Sequence, residues 1–340
     1  MVTTHNDNRT ASLPSSPEQS QDTYLRVSVP SGKGGVRLDR FLTDAFDSYS
    51  RNRLQGLIAG GLVQVNDVVV VEAKRKVADG DMLVVNVPPP TPMTLEAQDI
   101  PLDVVYEDDD LLIINKPPGL VVHPAVGNPD KTLVNALLAH CGESLTGVGG
   151  VARPGIVHRL DKGTSGLMVV AKNGETHAAL SAQFADHSIE RAYRTLVWGV
   201  PSPAQGTVEG NIGRSPNNRK KMAIVARGGK HAVTHYKVEQ AFGTAAALVE
   251  CRLETGRTHQ IRVHMASLGH PVLGDSVYGG GEKRARHLSS DIKQAVKEQS
   301  HQVLHAYLIG IYHPKRQESM RWESKLPVYF NNMVNKLINC

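Results

Sequence analysis

Cysteine is scarce in this chain: Cys141, Cys251 and Cys340 are the only three, and they stand far apart. Thiols so few and so separated support neither a disulfide framework nor a cysteine-based zinc site, so redox chemistry is not expected. Long apolar runs are also missing. No stretch reaches the roughly 18 consecutive apolar residues of a membrane span, and residues 1–21 lack the apolar centre of a secretory signal. A cytoplasmic protein without membrane association is expected. Residues 1–21 are rich in Thr, Ser, Asn, Gln and Pro, a composition that cannot repay the entropy of folding.

What is present is an ordinary globular composition, 40% hydrophobic and 21% charged over 340 residues. That length favours two domains over one core. The net charge of +5 suits a polyanionic partner, although the figure alone is weak and the placement of the charges matters more.

Between residues 24 and 87 the pattern is that of a small mixed domain. Residues 25–29 alternate as a strand does, and Gly32-Lys33-Gly34-Gly35 lacks the Gly-Lys-Ser/Thr ending of a P-loop, so it reads as a tight turn. Leu38, Phe41, Leu42 and Ala45, then Leu54, Leu57 and Ile58, recur at helical spacing. Gly60-Gly61 ends the second helix, and two strands follow around Asn66-Asp67, a hairpin signal. Pro88-Pro89-Pro90 with Pro92 makes a stiff extended connector and marks a domain boundary. Arg37, Arg40, Arg51, Arg53, Lys74, Arg75 and Lys76 taken singly read equally well as solvated surface. The runs Arg37-Leu38-Asp39-Arg40-Phe41-Leu42, Ser50-Arg51-Asn52-Arg53-Leu54 and Gly61-Leu62-Val63-Gln64-Val65-Asn66, however, resemble an S-four-type RNA-binding domain. That resemblance implies that the seven cations share one phosphate-facing surface. Where that family often has Asn-Gly, this chain has Asn66-Asp67, which also tolerates positive φ.

Beyond the connector, strand-like runs at 111–115, 166–172, 192–200, 231–242, 247–254 and 303–312 are mixed with helical patterns at 132–140, 175–185 and 258–268. With no repeating βαβ rhythm, this predicts an α+β domain on a largely antiparallel sheet. Two polar segments within it carry chemistry. In Gly155-Ile156-Val157-His158-Arg159-Leu160-Asp161-Lys162-Gly163-Thr164-Ser165-Gly166 a carboxylate sits among His158, Arg159 and Lys162. Neighbouring cations would keep Asp161 ionised as nucleophile or base. An isolated aspartate in such a loop is more often a turn cap. In Gly256-Arg257-Thr258-His259-Gln260-Ile261-Arg262-Val263-His264, Arg262 follows Ile261 by about 100° around the helix. It therefore lies at the margin of the stripe formed by Ile261, Met265 and Leu268, where a partly desolvated arginine needs a carboxylate. His259 and His264, five apart, do not share a helical face, and no metal site is expected.

These two segments, with Lys116-Pro117-Pro118-Gly119-Leu120-Val121-Val122-His123-Pro124 and Arg191-Ala192-Tyr193, resemble in order the motifs of the pseudouridine synthases that modify ribosomal and transfer RNA. The likeness spans about residues 101–327; Gly163, where many relatives carry a polar or charged residue, is the departure. The resemblance implies a catalytic Asp161, an Arg262 paired with it, a Tyr193 on which the target uracil stacks, and an Arg159 that holds the flipped nucleotide out of its helix. It also implies that no cofactor is needed, since the isomerisation conserves all atoms. Attack of Asp161 on ribose C1′, addition to the base and removal of a ribose proton all remain open. The expected partner is large-subunit ribosomal RNA or the assembling subunit, met by a monomer. A non-catalytic RNA-binding or ribosome-assembly protein is the rival from another class, and the joint presence of Asp161, Tyr193 and Arg262 argues against it. A synthase for transfer RNA, or for another ribosomal site, is the rival within the class. The expected boundaries are a disordered tail (1–23), the RNA-binding domain (24–87), a proline-rich linker (88–100), the catalytic domain (101–333) and a tail (334–340).

Overall fold

A computed structural model describes residues 23–88, 95–125, 127–145, 148, 153–218, 221–280, 284–285 and 288–338. The chain divides into two units, Met1–Pro92 and Met93–Cys340. Most of the expected first tail, Pro89, Pro90 and Pro92, and the basic residues Arg219, Lys220, Lys283 and Arg286 lie outside the described residues.

The first unit contains β1 (Thr23–Ser28), α1 (Leu38–Ala45), α2 (Arg51–Ala59), β2 (Val63–Val65), β3 (Val68–Val69) and β4 (Met82–Val87), with strand order β1-β4-β2-β3. Its helices bury the apolar positions that spacing singled out: Leu38, Phe41 and Leu42 from α1, and Leu54, Leu57 and Ile58 from α2, pack with Val63, Val65, Leu83 and Val85. Ser50 caps α2 by accepting the Arg53 amide. Asn66 and Asp67 both take positive φ, 51° and 64°, the conformation of a two-residue hairpin turn whose twist matches its strands.

Asp39 has an unexpected role here. Its side chain is fully buried, and it accepts hydrogen bonds from Arg37 (2.9 and 3.0 Å), Arg51 (2.8 and 3.2 Å) and Gln55 (2.5 Å). The Arg37 hydrogen bond, with those from Gln55 and Arg51, outweighs burial and holds this carboxyl well below its ordinary range. Two of the seven expected phosphate contacts thus share their charge with a buried carboxylate, while Arg40, Arg53, Lys74, Arg75 and Lys76 are exposed.

The second unit is α+β. It runs β5 (Val104–Glu107), β6 (Leu111–Lys116), α3 (Leu133–Cys141), β7 (Ser165–Ala171), α4 (Gly174–Ala185), β8 (Glu190–Trp198), β9 (Gln205–Arg214), β10 (Met222–Ile224), β11 (Lys230–Phe242), β12 (Ala246–Leu253), α5 (Gln260–Ser267), α6 (Ser290–Glu298), β13 (Leu304–His313), β14 (Glu318–Glu323) and α7 (Val328–Ile338). One sheet has the order β10-β9-β11-β12-β8-β13-β7-β6-β5, with β14 on β13. Its pairings are antiparallel except for β13 with β7. The late strand β13 lies between β8 and β7, so three stretches distant in sequence meet at mid-sheet. Gly166 permits this: at φ +119°, a Cβ there would run into the Ala306 backbone of β13.

Two boundaries need correction. Residues 334–338, expected as a tail, continue α7, which buries Phe330, Met333 and Leu337 against Trp198, Phe242 and Ile292. The end of the expected linker is also tied down, because Asn135 of α3 donates to the Glu96 carbonyl and the Lys131 amide donates to Gln98.

Candidate active site

The loop before β7 turns tightly, with the Thr164 amide donating to the Asp161 carbonyl at 3.0 Å and Leu160 buried as its anchor. A second device fixes it from beneath. Lys116, at the end of β6 and 1% exposed, donates from Nζ to the carbonyls of Pro117 and Leu120 (2.9 Å each) and more distantly to that of Lys162 (3.4 Å). The Gly119 amide adds a bond to the same Lys162 carbonyl. Burial pushes the Lys116 ammonium down to about 7, opposed by the charge of Asp161.

The loop after β12 supplies the opposite wall. Gln260, the first residue of α5, is buried and accepts from the Arg257 amide and the Thr255 hydroxyl while donating to the Val233 carbonyl and Thr234. These four bonds fasten the turn from Thr255 to His259 onto β11. His259 completes the turn in the left-handed region, φ 57°. In the first turn of α5, Arg262 is 6% exposed, more deeply buried than a position at the margin of an apolar stripe suggests.

Its guanidinium joins two carboxylates. Nη1 donates to Asp161 at 2.8 Å, and Nε and Nη2 grip Asp275 side-on at 2.7 and 3.0 Å. Asp275 is itself oriented by the amides of Val277 and Tyr278. Burial works against the charge of Arg262, and the hydrogen bonds and charge of Asp275, helped by Asp161, more than offset it, so its pKa is raised. The Tyr278 ring lies 5.1 Å from the guanidinium carbon, and its hydroxyl is 2.9 Å from His259 Nδ1. The other nitrogen of His259 is 3.9 Å from Asp161.

Asp161 and Arg262 both line a cavity of about 240 Å³, together with Arg159, Phe184, Arg191 and Tyr193. Tyr193, on β8, is almost fully buried, and burial raises its phenol pKa. Arg159 is exposed. The candidate residues Arg159, Asp161, Tyr193 and Arg262, taken from one loop, a strand and a helix, are thus assembled around one space.

His158 differs from the sequence-based expectation that it adds a cation near Asp161. Its ring stacks on Phe184 at 4.6 Å, and its Nε2 accepts the Val169 amide at 3.1 Å. Burial, with the charge of Arg191, pushes its pKa down to about 3, so it is a neutral packing element. Lys162, another of the expected cations, donates to Asn128. His264 is buried against Thr234, and burial pushes it down to about 4.

Sequence reasoning missed Asp275, Lys116, Arg191 and Tyr278 as members of the site. Lys116 and Arg191 fall inside motifs already noticed, so the signal was present. Asp275 lies 13 residues beyond Arg262, and nothing local in the sequence ties it there.

An aspartate on a mid-sheet loop, hydrogen-bonded at 2.8 Å to a buried arginine of a short helix where both line one cavity, has the form of an enzyme site more than of a binding surface. Residues 110–267 match the RNA pseudouridylate synthase family, and residues 36–83 match the S4 domain. A ribosomal large subunit pseudouridine synthase D from Zymomonas mobilis is 52% identical over 295 residues, covering 86% of this chain and 91% of that protein. A protein of the same description from Neisseria meningitidis is 45% identical, covering 90% and 80%. Among solved structures, human RNA pseudouridylate synthase domain containing 4 superposes with a TM-score of 0.54 at 28% identity, over 69% of this chain and 92% of that one. The chain belongs to the RNA pseudouridylate synthase family, with an S4 domain ahead of the catalytic fold, and is a pseudouridine synthase.

Proposed function

We propose that this protein isomerises specific uridines of large-subunit ribosomal RNA, in the stem-loop that faces the small subunit, using Asp161 as its catalytic group. The descriptions of the Zymomonas and Neisseria relatives support the choice of RNA. The observation that carries the chemistry is the Asp161 carboxylate, which lines the cavity with Tyr193 and is fixed by Arg262 at 2.8 Å.

A uridine within a stem is out of reach, so it is flipped into the cavity at a cost of a few kcal/mol. Tyr193 replaces the lost stacking, and exposed Arg159 occupies the space the base leaves. The bond between uracil N1 and ribose C1′ then breaks, the base turns, and C5 joins C1′ as the C5 proton is released and N1 takes one up. Asp161 acts on C1′, on the base or on a ribose proton; each route uses its ionised form, and Arg262 aims it. The first unit adds phosphate contacts through Arg40, Arg53, Lys74, Arg75 and Lys76, with Arg37 and Arg51 supporting from their pairing with Asp39. Among the described residues no helix is long and apolar enough to cross a membrane. The proposal takes the enzyme to be a monomer acting on ribosomal precursors in the cytoplasm.

The test is pseudouridine mapping in ribosomal RNA from a strain lacking this protein, complemented by wild type or by Asp161→Asn. Large-subunit sites that vanish on deletion, return with wild type and stay absent with Asp161→Asn support the reading. Loss confined to transfer RNA would redirect it.

A further inference from the structure

Arg191 lines the same cavity as Arg262 under opposite conditions. It stands on β8 two residues before Tyr193, so both side chains leave the same face of the strand. It is 7% exposed. Its Nη2 donates to the Glu254 carbonyl at 3.0 Å, and its guanidinium carbon lies 5.4 Å from the centre of the Phe184 ring. Its Nε has no partner among the described residues. A Cβ on Gly256 would meet its Nη1 at 2.9 Å, so the glycine lets the loop close against it.

No carboxylate compensates this charge among the described residues. Burial disfavours it, Tyr193 acts in the other direction, and the nearby Arg257 adds to the burial, leaving its pKa lowered. Arg257 also lines the cavity and is anchored through Nε to the His231 carbonyl. Two neighbouring guanidiniums, one desolvated and with an unused donor, are costly in the free protein. A uracil carbonyl would leave both charges uncompensated; a phosphodiester brings a full negative charge that the two guanidiniums can share.

We infer that Arg191, with Arg257 beside it, binds a phosphodiester flanking the flipped uridine. The reaction gives a reason for such an anchor. Once the glycosidic bond is broken, stacking on Tyr193 restrains the base and no longer restrains the ribose. A grip on the backbone keeps C1′ within reach of C5 while the base turns. The inference rests on the proposed flipping of a uridine from structured RNA.

The experiment uses the full-length enzyme and a stem-loop RNA that the wild type converts. The RNA is made in three forms: native, with a neutral methylphosphonate 5′ of the target uridine, and with one 3′ of it. Single-turnover release of tritium from C5-labelled uridine is followed with wild type, Arg191→Met and Arg257→Met. Neutralising one linkage should slow the wild type by roughly ten- to a hundredfold, the range of a charge-assisted hydrogen bond. Arg191→Met should be slowed similarly on native RNA and hardly further by that same linkage, and Arg257→Met should show a reduced penalty there. Penalties that multiply in both variants at both linkages overturn the assignment. Should Arg191→Met fail to fold, Arg191→Gln and Arg257→Met decide it, since a full wild-type penalty in both also overturns it. Failure of the wild type to convert any structured RNA would sink the proposed function; conversion with multiplying penalties sinks only the role of Arg191.

Discussion

The sharpest consequence of the site geometry concerns Asp275, which need not touch substrate. Its carboxylate accepts Nε and Nη2 of Arg262 at 2.7 and 3.0 Å and also the Val277 and Tyr278 amides. An asparagine has one oxygen. If that oxygen serves the two amides, the new NH2 faces the Arg262 Nε–H, donor against donor. Removing one partner of a buried ion pair costs about 3–5 kcal/mol, and the low end applies because Asp161 remains at 2.8 Å as a second partner. At about 2–4 °C per kcal/mol for a unit of this size, Asp275→Asn should lower the melting temperature by roughly 6–12 °C. Arg262 then aims Asp161 less firmly, and a displacement near 1 Å costs about a hundredfold in rate. Differential scanning calorimetry and single-turnover tritium release on the same preparation give both numbers. Asp161→Asn is the comparison: it should stop turnover with a much smaller change in melting temperature, because Asp161 is 18% exposed and Asp275 fully buried. A variant Asp275→Asn that melts and turns over like wild type would refute the idea that Asp275 holds the pair.

Asp161→Asn should also bind RNA within several-fold of wild type, since affinity rests on many phosphate contacts; filter binding checks this, and binding lost in step with turnover would give Asp161 a shaping role. Deleting residues 1–88 should weaken RNA binding and flatten its dependence on salt, because fewer counterions are released; an unchanged slope in a salt titration would remove the first unit from the interface. The folded pKa of Lys116, lowered to about 7 from 10.5, means that the unfolded chain binds more protons between those values. Stability therefore rises with pH from about 7 to 10 through this group, and Lys116→Met should remove that increment when melting temperatures of variant and wild type are compared across the window.

Local pattern was enough wherever one element's chemistry decided its form. Helical spacing identified α1, α2 and α5, and Asn66-Asp67 marked a hairpin because two consecutive residues there adopt positive φ. It failed where tertiary contact decided. Strand β9 alternates Thr, Glu and Asn with few apolar side chains, and only Val208 and Ile212 are buried; its pairing with β11 makes it a strand. Residues 334–338 show no local pattern that sets them apart from a tail, and Leu337 is buried through packing with distant residues. The insertion of β13 between β8 and β7 is a matter of strand order, which no local run encodes.

The same distinction explains which site residues were legible. Arg262 announced a need, because an arginine beside an apolar stripe must be paired, and the structure gives it two partners where one was foreseen. Asp275 lacked any such cue: a carboxylate followed by Ser276 and Val277 looks like an ordinary turn, and its backbone bonds are those of a turn. Its second function comes from Gly274, which at φ +76° sits so close to the His301 carbonyl that a Cβ would meet that oxygen at 2.5 Å. That close approach seats the turn against the segment leading into β13, the strand that pairs with β7 just after the Asp161 loop. A substitution at Gly274 should therefore reach Asp161 through Asp275 and Arg262: Gly274→Ala, strained both by its φ and by the His301 carbonyl, should reduce turnover and melting temperature together. Calorimetry and tritium release again read both, and a Gly274→Ala protein as active and as stable as wild type would show that the turn has room to relax without moving the carboxylates.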